Sequence, residues 1–530
     1  LHARVADPVR LCPSCRLVSL TGVNLSGMSS SSVRPLRPSG LRRVAAIAVP
    51  ALGLLLAGCS VGPDFARPAL DADAGYVQGG NPKSTASAST MGGTAQAFVS
   101  GQDVPGRWWE MYGSKKLSRL VETAMAASPD VAAAQATLRQ AQENTLAAGG
   151  ALLPAVDGST NASRQQTQSN SSGKSIYNLF SAGVSVTYAL DVFGGTRRSI
   201  ESLEAQAEFQ RYQLEATYLA LTANVVTAAV QEASLREQIS ATNEILRSQQ
   251  DALNLLEEQV RLGAGARADV LSQQSTLAQT RATLPPLEKA LAQQRNQLAV
   301  LIGRFPNAEI GASFRLSDLK LPRRLPLSVP SQLVAQRPDV RAAEATLHAA
   351  SAEVGVAIAN QLPQFSITAD LGASSQKLNK LLTDSGGVWS IGAGLTQPIF
   401  DGGTLFHRRK AAEAAYEAAA AQYRSTVLSA FQEVADAIRA LQSDADALRA
   451  SLAAHDAAAA SLELTREQFQ AGAVAYLNLL TAQQTYQSAR LNLVSAQAAR
   501  FADTAALFQA LGGGWWNRVP PPEQTVAAAR

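Results

Sequence analysis

The chain has 530 residues, 46 of them Lys or Arg and 42 Asp or Glu, for a formal charge of +4, and only 5% are aromatic. Residues 1–58 hold seven arginines and one aspartate, leaving 39 basic and 41 acidic residues in the remainder, which excludes a basic nucleic-acid-binding surface. Few aromatics and long alanine-rich stretches suit close helix packing rather than bulky globular interiors.

The N-terminal charge belongs to an export signal. From Met28 the chain carries Arg34, Arg37, Arg42 and Arg43, then an apolar run from Val44 to Ala57 that ends in Leu56-Ala57-Gly58-Cys59. A charged region, a short apolar region and a small-residue site mark a secretory signal, too short for a spanning helix. The closing tetrad resembles a bacterial lipobox, which implies lipidation at Cys59. Ser60 follows rather than Asp, which by the sorting rule for such lipoproteins implies the outer membrane. Residues 1–27 precede this start and read as an upstream extension, and Cys12-Pro13-Ser14-Cys15 falls inside it. A CxxC pair without a second pair, ahead of a cleaved signal, has no redox or zinc role.

From Cys59 to about Val104 the sequence is rich in Gly, Ser, Thr, Pro and Ala, which predicts a tether with little regular structure. Order is expected to begin near Trp108-Trp109. Ser128 then caps a helix with Pro129 at its first position, ending near Gly149-Gly150. Strands follow. Val184, Val186, Tyr188 and Leu190 alternate with Ser185, Thr187, Ala189 and Asp191. Phe365, Ile367, Ala369 and Leu371 alternate with Ser366, Thr368 and Asp370, and Trp389, Ile391, Ala393 and Leu395 alternate with Ser390, Gly392, Gly394 and Thr396. Period two predicts a sheet with one apolar and one polar face. A soluble sandwich has the same pattern. A membrane wall is favoured by strands of about 9–11 residues, by polar loops at 165–177 and 374–387, and by Phe180 and Trp389 at girdle positions.

Thr196 to Leu262 contains neither Pro nor Gly and carries apolar residues at alternating spacings of three and four, from Tyr218 through Val260, with polar breaks at Glu232, Thr242 and Gln249. This predicts a coiled-coil helix about 100 Å long at 1.5 Å per residue. A second such seam runs from Val427 to Phe469. Helices 129–149 and 267–302 are expected to pair along the first, with a kink at Pro285-Pro286 that Val494 and Ser495 lack.

The chain states this plan twice. Pro129 to Pro154 reappears as Pro338 to Pro363, and the same offset of 209 residues carries Ser181 to Ser390, Gly263 to Gly472 and Gly303 to Gly512. A period this long makes each copy a multi-element half-subunit rather than a solenoid repeat. The expected divisions are 1–58 (extension, and signal from 28), a tether at 59–107, a first repeat at 108–303, a connector at 304–336, a second repeat at 337–512 and a tail at 513–530. Four strands cannot close a barrel, and free sheet edges in hydrocarbon cost several kcal/mol per unsatisfied group, so copies must share one, with eight strands from a dimer or twelve from a trimer.

Cys59-Ser60-Val61-Gly62-Pro63-Asp64-Phe65-Ala66-Arg67-Pro68 is similar to the mature N-terminus of TolC-type outer-membrane efflux lipoproteins of the NodT/OprM group. Trp108-Trp109, Pro129-Asp130, Phe193-Gly194-Gly195 and Ile399-Phe400-Asp401-Gly402-Gly403 resemble that family too, and the likeness covers about residues 50 to 515. It implies a mixed α and β fold: a trimer with a twelve-stranded transmembrane β-barrel continued by a long periplasmic α-helical barrel. It also implies a periplasmic adaptor and an inner-membrane pump, commonly of the resistance-nodulation-division type.

Through the resemblance, the tips around Gly263, Gly265 and Asp269, and around Gly472, Tyr476 and Asn478, are expected to contact the adaptor and close the channel. A plain helix reversal explains the glycines equally well. Asp269 matches a gate aspartate of the family. On the second tip, Phe469, Val474, Asn478 and Thr481 replace a tyrosine, an arginine and two aspartates, which puts an acidic constriction ring in doubt. The gate candidates are therefore Asp269, Val474, Tyr476, Asn478 and Thr481, forming a seal of apolar and hydrogen-bonding groups in which Tyr476→Ala raises conductance.

No enzyme chemistry is legible. His2, His348, His407 and His455 lack metal-ligand spacing. Gly173-Lys174-Ser175 ends like a phosphate-binding loop, but Gln168 stands where its first glycine belongs. No cofactor or metal is expected. The reading is a passive exit duct for small molecules. A type I protein secretion outlet and a structural coiled-coil envelope lipoprotein stay open as alternatives.

Overall fold

The computed structural model describes residues 60–68, 75–169, 173–383 and 387–518. They form two compact units. Of these described residues, the first unit holds those within 60–66, 143–205 and 348–418, and the second those within 67–142, 206–347 and 419–518.

The first unit is built on an antiparallel sheet in the order β2-β3-β5-β6, with β2 Ala155–Ser169, β3 Gly173–Leu190, β5 Gln364–Ser375 and β6 Gly387–Thr396. Its strands of 15, 18, 12 and 10 residues exceed the expected length in three cases. The loop expected at 165–177 is mostly hairpin: Gln165 pairs with Tyr177 and Thr167 with Ser175. Polar side chains there did not end the ladder, because backbone pairing continues as long as the two strands stay in register.

In the second unit, β1 (Ala97–Ser100) pairs in parallel with β4 (Arg324–Leu327). Helix α1 (Lys115–Ala127) starts at Ser114, whose side chain accepts from the Leu117 N–H, and buries Leu117, Leu120, Val121 and Ala124. Trp108 is buried, with Phe508 stacked on it at 5.3 Å. Helix α2 (Pro129–Gly149) begins at the proline, as expected.

The long helices are α3 (Gly195–Arg261) and, in the second copy, α8 (Thr404–Gln470), each of 67 residues. Much of each predicted seam is buried, with Leu221, Val225 and Leu253 in α3 and Val427, Val434, Leu441 and Leu448 in α8, while Tyr218, Ile239, Leu246, Val260, Leu462 and Phe469 are half-buried. The polar breaks Glu232, Thr242 and Gln249 are buried too. After the first tip the chain forms α4 (Arg267–Ala282) and α5 (Leu284–Leu301), separated at Thr283 with proline in the first turn of α5. Proline lacks the N–H that would continue α4, and that turn is where it is tolerated. Between the copies lie α6 (Pro330–Gln336) and α7 (Pro338–Ala359). After the second tip, α9 runs unbroken from Tyr476 to Ala510.

The segment expected to be a tether has little regular structure among its described residues, as expected, but it is not loose. Residues 75–107 pack: Tyr76, Gln96 and Val104 are buried, and Tyr76 O–H donates to the Ser328 carbonyl at 2.9 Å. Gln96 Nε2 donates to Pro322 O and Thr504 Oγ1, each at 3.1 Å. Apolar composition understated the order here because polar side chains fasten the segment to a surface already folded.

Candidate functional site

The sheet register sorts its residues into two faces. The row Val156–Val186–Ala369–Ile391 and the row Gly158–Val184–Leu371–Trp389 lie on one face. The intervening row Asp157–Ser185–Asp370–Ser390 lies on the other, where Ser390 Oγ donates to Asp370 Oδ2 at 3.0 Å. Trp389 is 76% exposed and Ile391 71% among the described residues. The apolar stripe of β3 runs from Phe180 to Leu190; at about 3.3 Å per residue and a tilt of about 40°, it spans about 25 Å, the height of an outer-membrane barrel's apolar band. Beyond Phe180 that face turns polar, with Asn178 opposite Arg164 and Lys174 opposite Gln168. The extra strand length thus lies outside the apolar band. Both edges, β2 and β6, are unpaired among the described residues.

The helix reversals repeat each other. Gly263 and Gly472 have φ of 76° and 72°. The Gly263 N–H donates to Val260 O and the Ala264 N–H to Gln259 O; the Gly472 N–H donates to Phe469 O and the Ala473 N–H to Gln468 O. Each satisfies carbonyls that a helix end leaves open, and the left-handed φ favours glycine. Asp269 and Asn478 occupy the same place in the first turn of α4 and α9, with N–H groups bonded to Ala266 O and Ala475 O.

Gly263, Gly265, Gly472, Asn478 and Thr481 are exposed, and Asp269 and Val474 are half-buried. Tyr476 departs from the expectation. It is 4% exposed, in a cluster with Leu253, Leu256, Val270, Leu277, Leu479 and Leu480, and with Phe469 edge-on at 5.6 Å. It continues the buried stripe Leu479-Leu480-Gln483 of α9, so its ring packs the helices rather than facing outward. Its O–H donates to Gln273 Oε1, and Gln273 Nε2 donates to Gln249 O at 2.6 Å. Burial, and after it the Asp269 carboxylate, push the Tyr476 pKa far above its ordinary value. Sequence reasoning missed Gln273; its signal was an amide at a position of α4 flanked by Val270 and Leu277.

Cys59 lies outside the described residues. The segment after it is clamped. Arg198, near the start of α3, donates from Nε to Val61 O at 3.1 Å and pairs with Asp64 at 2.6 Å and Glu201 at 2.7 Å. Phe65 stacks on His348 at 4.5 Å, and His348 Nε2 meets Glu201 Oε1 at 2.9 Å. Gly62, at φ 98°, lies so close to Gly355 that a Cβ would come within 2.5 Å of the Gly355 Cα. Among the described residues no three His, Cys, Asp or Glu side chains gather as metal ligands.

An open four-stranded sheet with a lipid-compatible face and a hydroxyl-lined face, continued in sequence by two helices of 67 residues, defines an outer-membrane channel of the TolC type. The chain belongs to the outer membrane efflux protein family, whose model matches residues 120–304 and 329–513, two stretches themselves offset by the repeat length. It is 31% identical over 418 residues to the pyoverdine export outer membrane protein OpmQ of Pseudomonas putida, covering 77% of this chain and 88% of that one. It is 27% identical to the cation efflux system protein CusC of Escherichia coli O6:H1, covering 88% of this chain and 97% of the relative. Among solved structures it resembles the outer-membrane channel OprN, with TM-score 0.77 and 26% identity over 86% of this chain and 100% of that one. The protein is an outer-membrane exit duct of an efflux system.

Proposed function

We propose that three copies close a twelve-stranded barrel anchored by lipid at Cys59, and that the duct receives small molecules from a periplasmic adaptor and an inner-membrane pump of the resistance-nodulation-division type. The observation that carries this is the four-stranded sheet, with both edges open among the described residues and one face apolar over the band from Phe180 to Leu190. In lipid every such edge must be paired. The repeat supports it further. Phe193 packs against Phe365 at 6.4 Å, whereas Phe400, beside edge strand β6, is 92% exposed, and Val156, the counterpart of Phe365 on the other edge, is 66% exposed. Each lacks the neighbour that an adjoining copy supplies.

The repeat also gives the register between copies. β3 pairs with β5 so that Val184 faces Leu371. Shifting both by the repeat offset places Ala393 of β6 opposite Ala162 of the partner subunit. Oxidising the Ala393→Cys, Ala162→Cys protein is expected to link three chains covalently; chains that remain single under oxidation contradict the shared barrel. At the tips, Gly263, Gly265, Gly472 and Asn478 are exposed for adaptor contact, and Asp269, Val474, Asn478 and Thr481 are the gate positions. Co-purification with an adaptor that is lost when both tips are altered tests that assignment. The names of OpmQ and CusC support small-molecule or metal-ion cargo over secreted protein.

A further inference from the structure

Within one chain, the second copy of the repeat packs on the first outgoing helix. After α9 the backbone runs through Gly512–Arg518 along one face of α3. Trp515 meets Tyr212 edge-on at 6.0 Å, Leu219 lies against Gly513, and Arg518 sits 4.9 Å over the Tyr218 ring while pairing with Glu215 at 3.3 Å. Farther along α3, Glu237 pairs with Arg490 of α9 at 3.4 Å. The repeat supplies both surfaces a second time. Moved by 209 residues, Gly512–Arg518 becomes Gly303–Glu309. The backbone agrees bond for bond: Gly303 N–H to Val300 O, Arg304 N–H to Ala299 O and Ala308 N–H to Phe305 O match Gly512 N–H to Gln509 O, Gly513 N–H to Phe508 O and Asn517 N–H to Gly514 O. Their surroundings differ. Gly512, Gly513 and Gly514 are buried, whereas Gly303, Arg304 and Phe305 are exposed, Phe305 to 82%. On the helix, Tyr212, Glu215 and Leu219 of α3 are buried or half-buried, whereas their counterparts Ala421, Arg424 and Leu428 of α8 are all exposed, Leu428 to 63%.

The charges on the bare pair of surfaces are complementary. Glu215 and Arg518 become Arg424 and Glu309, with the signs exchanged but still opposite; Glu237 and Arg490 become Asp446 and Arg281, with the signs kept. Glu309, Arg424 and Arg281 form no ion pair among the described residues. Like charges at either place would repel across a retained contact, and an exposed phenylalanine and leucine at matching places mark a surface that another covers. We propose that Gly303–Glu309 of one copy docks on the Ala421–Leu428 face of α8 in the next, with Glu309 of the partner subunit pairing with Arg424 and Arg281 of the partner subunit pairing with Asp446. The occupant is a second copy of this chain, because the docking piece is its own repeat. One position departs: Arg304 carries a side chain where Leu219 leaves Gly513 no room for one, so Leu428 takes a different rotamer from Leu219. The proposal rests on the reading that copies share one barrel, and it adds an interface outside the sheet.

The test uses the full processed chain in mild detergent, carrying Glu309→Cys and Arg424→Cys. Cysteines in place of two long side chains stand too far apart for a disulfide, so a short bismaleimide bridges them. The doubly substituted protein is expected to run as three linked chains under denaturing conditions, and either single substitution as one chain. The Ala393→Cys, Ala162→Cys protein is oxidised alongside. If it links while the 309 and 424 positions do not, the barrel is shared and the helical interface is overturned; if neither links, the shared barrel fails and the interface with it. Charge reversal supplies a readout without cysteine. Arg424→Glu should lower the temperature at which the assembly separates into single chains, and adding Glu309→Arg should restore it, since exposed pairs act through the sign of their partner. An Arg424→Glu protein that separates like the unaltered one, or a loss that Glu309→Arg does not rescue, contradicts the pairing.

Discussion

In the first copy of the repeat the helix returning from the tip is broken at Thr283, whereas in the second α9 returns unbroken from Tyr476 to Ala510. The outgoing helices are equal in length, and the glycine reversals match bond for bond. Side chains diverge where backbones agree. Glu232 lies buried on the seam of α3, bonded to Arg236 at 2.8 Å and Arg295 at 3.0 Å, while its counterpart Leu441 is simply buried on α8. Asp269 on one tip is replaced by its counterpart Asn478 on the other. The lesson is that duplication fixed the geometry of a half-subunit, and each copy was then free to change its chemistry.

That comparison can be broken most severely at Val494, the residue aligned with Pro285 and fully buried in α9. Val494→Pro imposes the first copy's break on a helix with no room for it. It should cost about 3 kcal/mol or more, read as a large fall in melting midpoint. A smaller effect tests the equivalence of the tips. A Cβ at Gly263 or Gly472 meets open space, so Gly263→Ala and Gly472→Ala should each cost about 1–2 kcal/mol from the left-handed backbone alone. Equal losses in the two variants are expected; a twofold difference means the reversals are not alike. Next comes Tyr476→Phe, which keeps the ring in its cluster but removes the donor to Gln273. About 1 kcal/mol of destabilisation with little change in conductance identifies Tyr476 as a packing residue. Smallest is Asp269→Asn, which makes the first tip resemble the second. It removes a carboxylate from a helix N-terminus at about 0.3–1 kcal/mol, and a change in closed-state current would mark Asp269 as part of the gate.

Much of this was readable in the sequence, because periodicity and glycine placement act locally. The seam of α3, the break before Pro285 and both reversals follow from spacing alone. What stayed hidden depends on partners distant in the chain. Gln96 appears in a segment of loop-like composition, yet it is buried because Pro322 O and Thr504 Oγ1 receive its amide. The hairpin beyond Phe180 looked like a loop because most of its side chains are polar, Ile176 and Leu179 apart, although its backbone pairs as far as Ser169 and Gly173. Tyr476 read as a gate aromatic, since only the folded helices show that Leu253 and Leu277 surround it.

The claim beneath all of this is that the open edges of one chain's sheet are closed by identical chains. Native mass spectrometry of the processed protein extracted in mild detergent tests it most directly. A species of three chains is predicted; a monomer that stays in solution without detergent would contradict it.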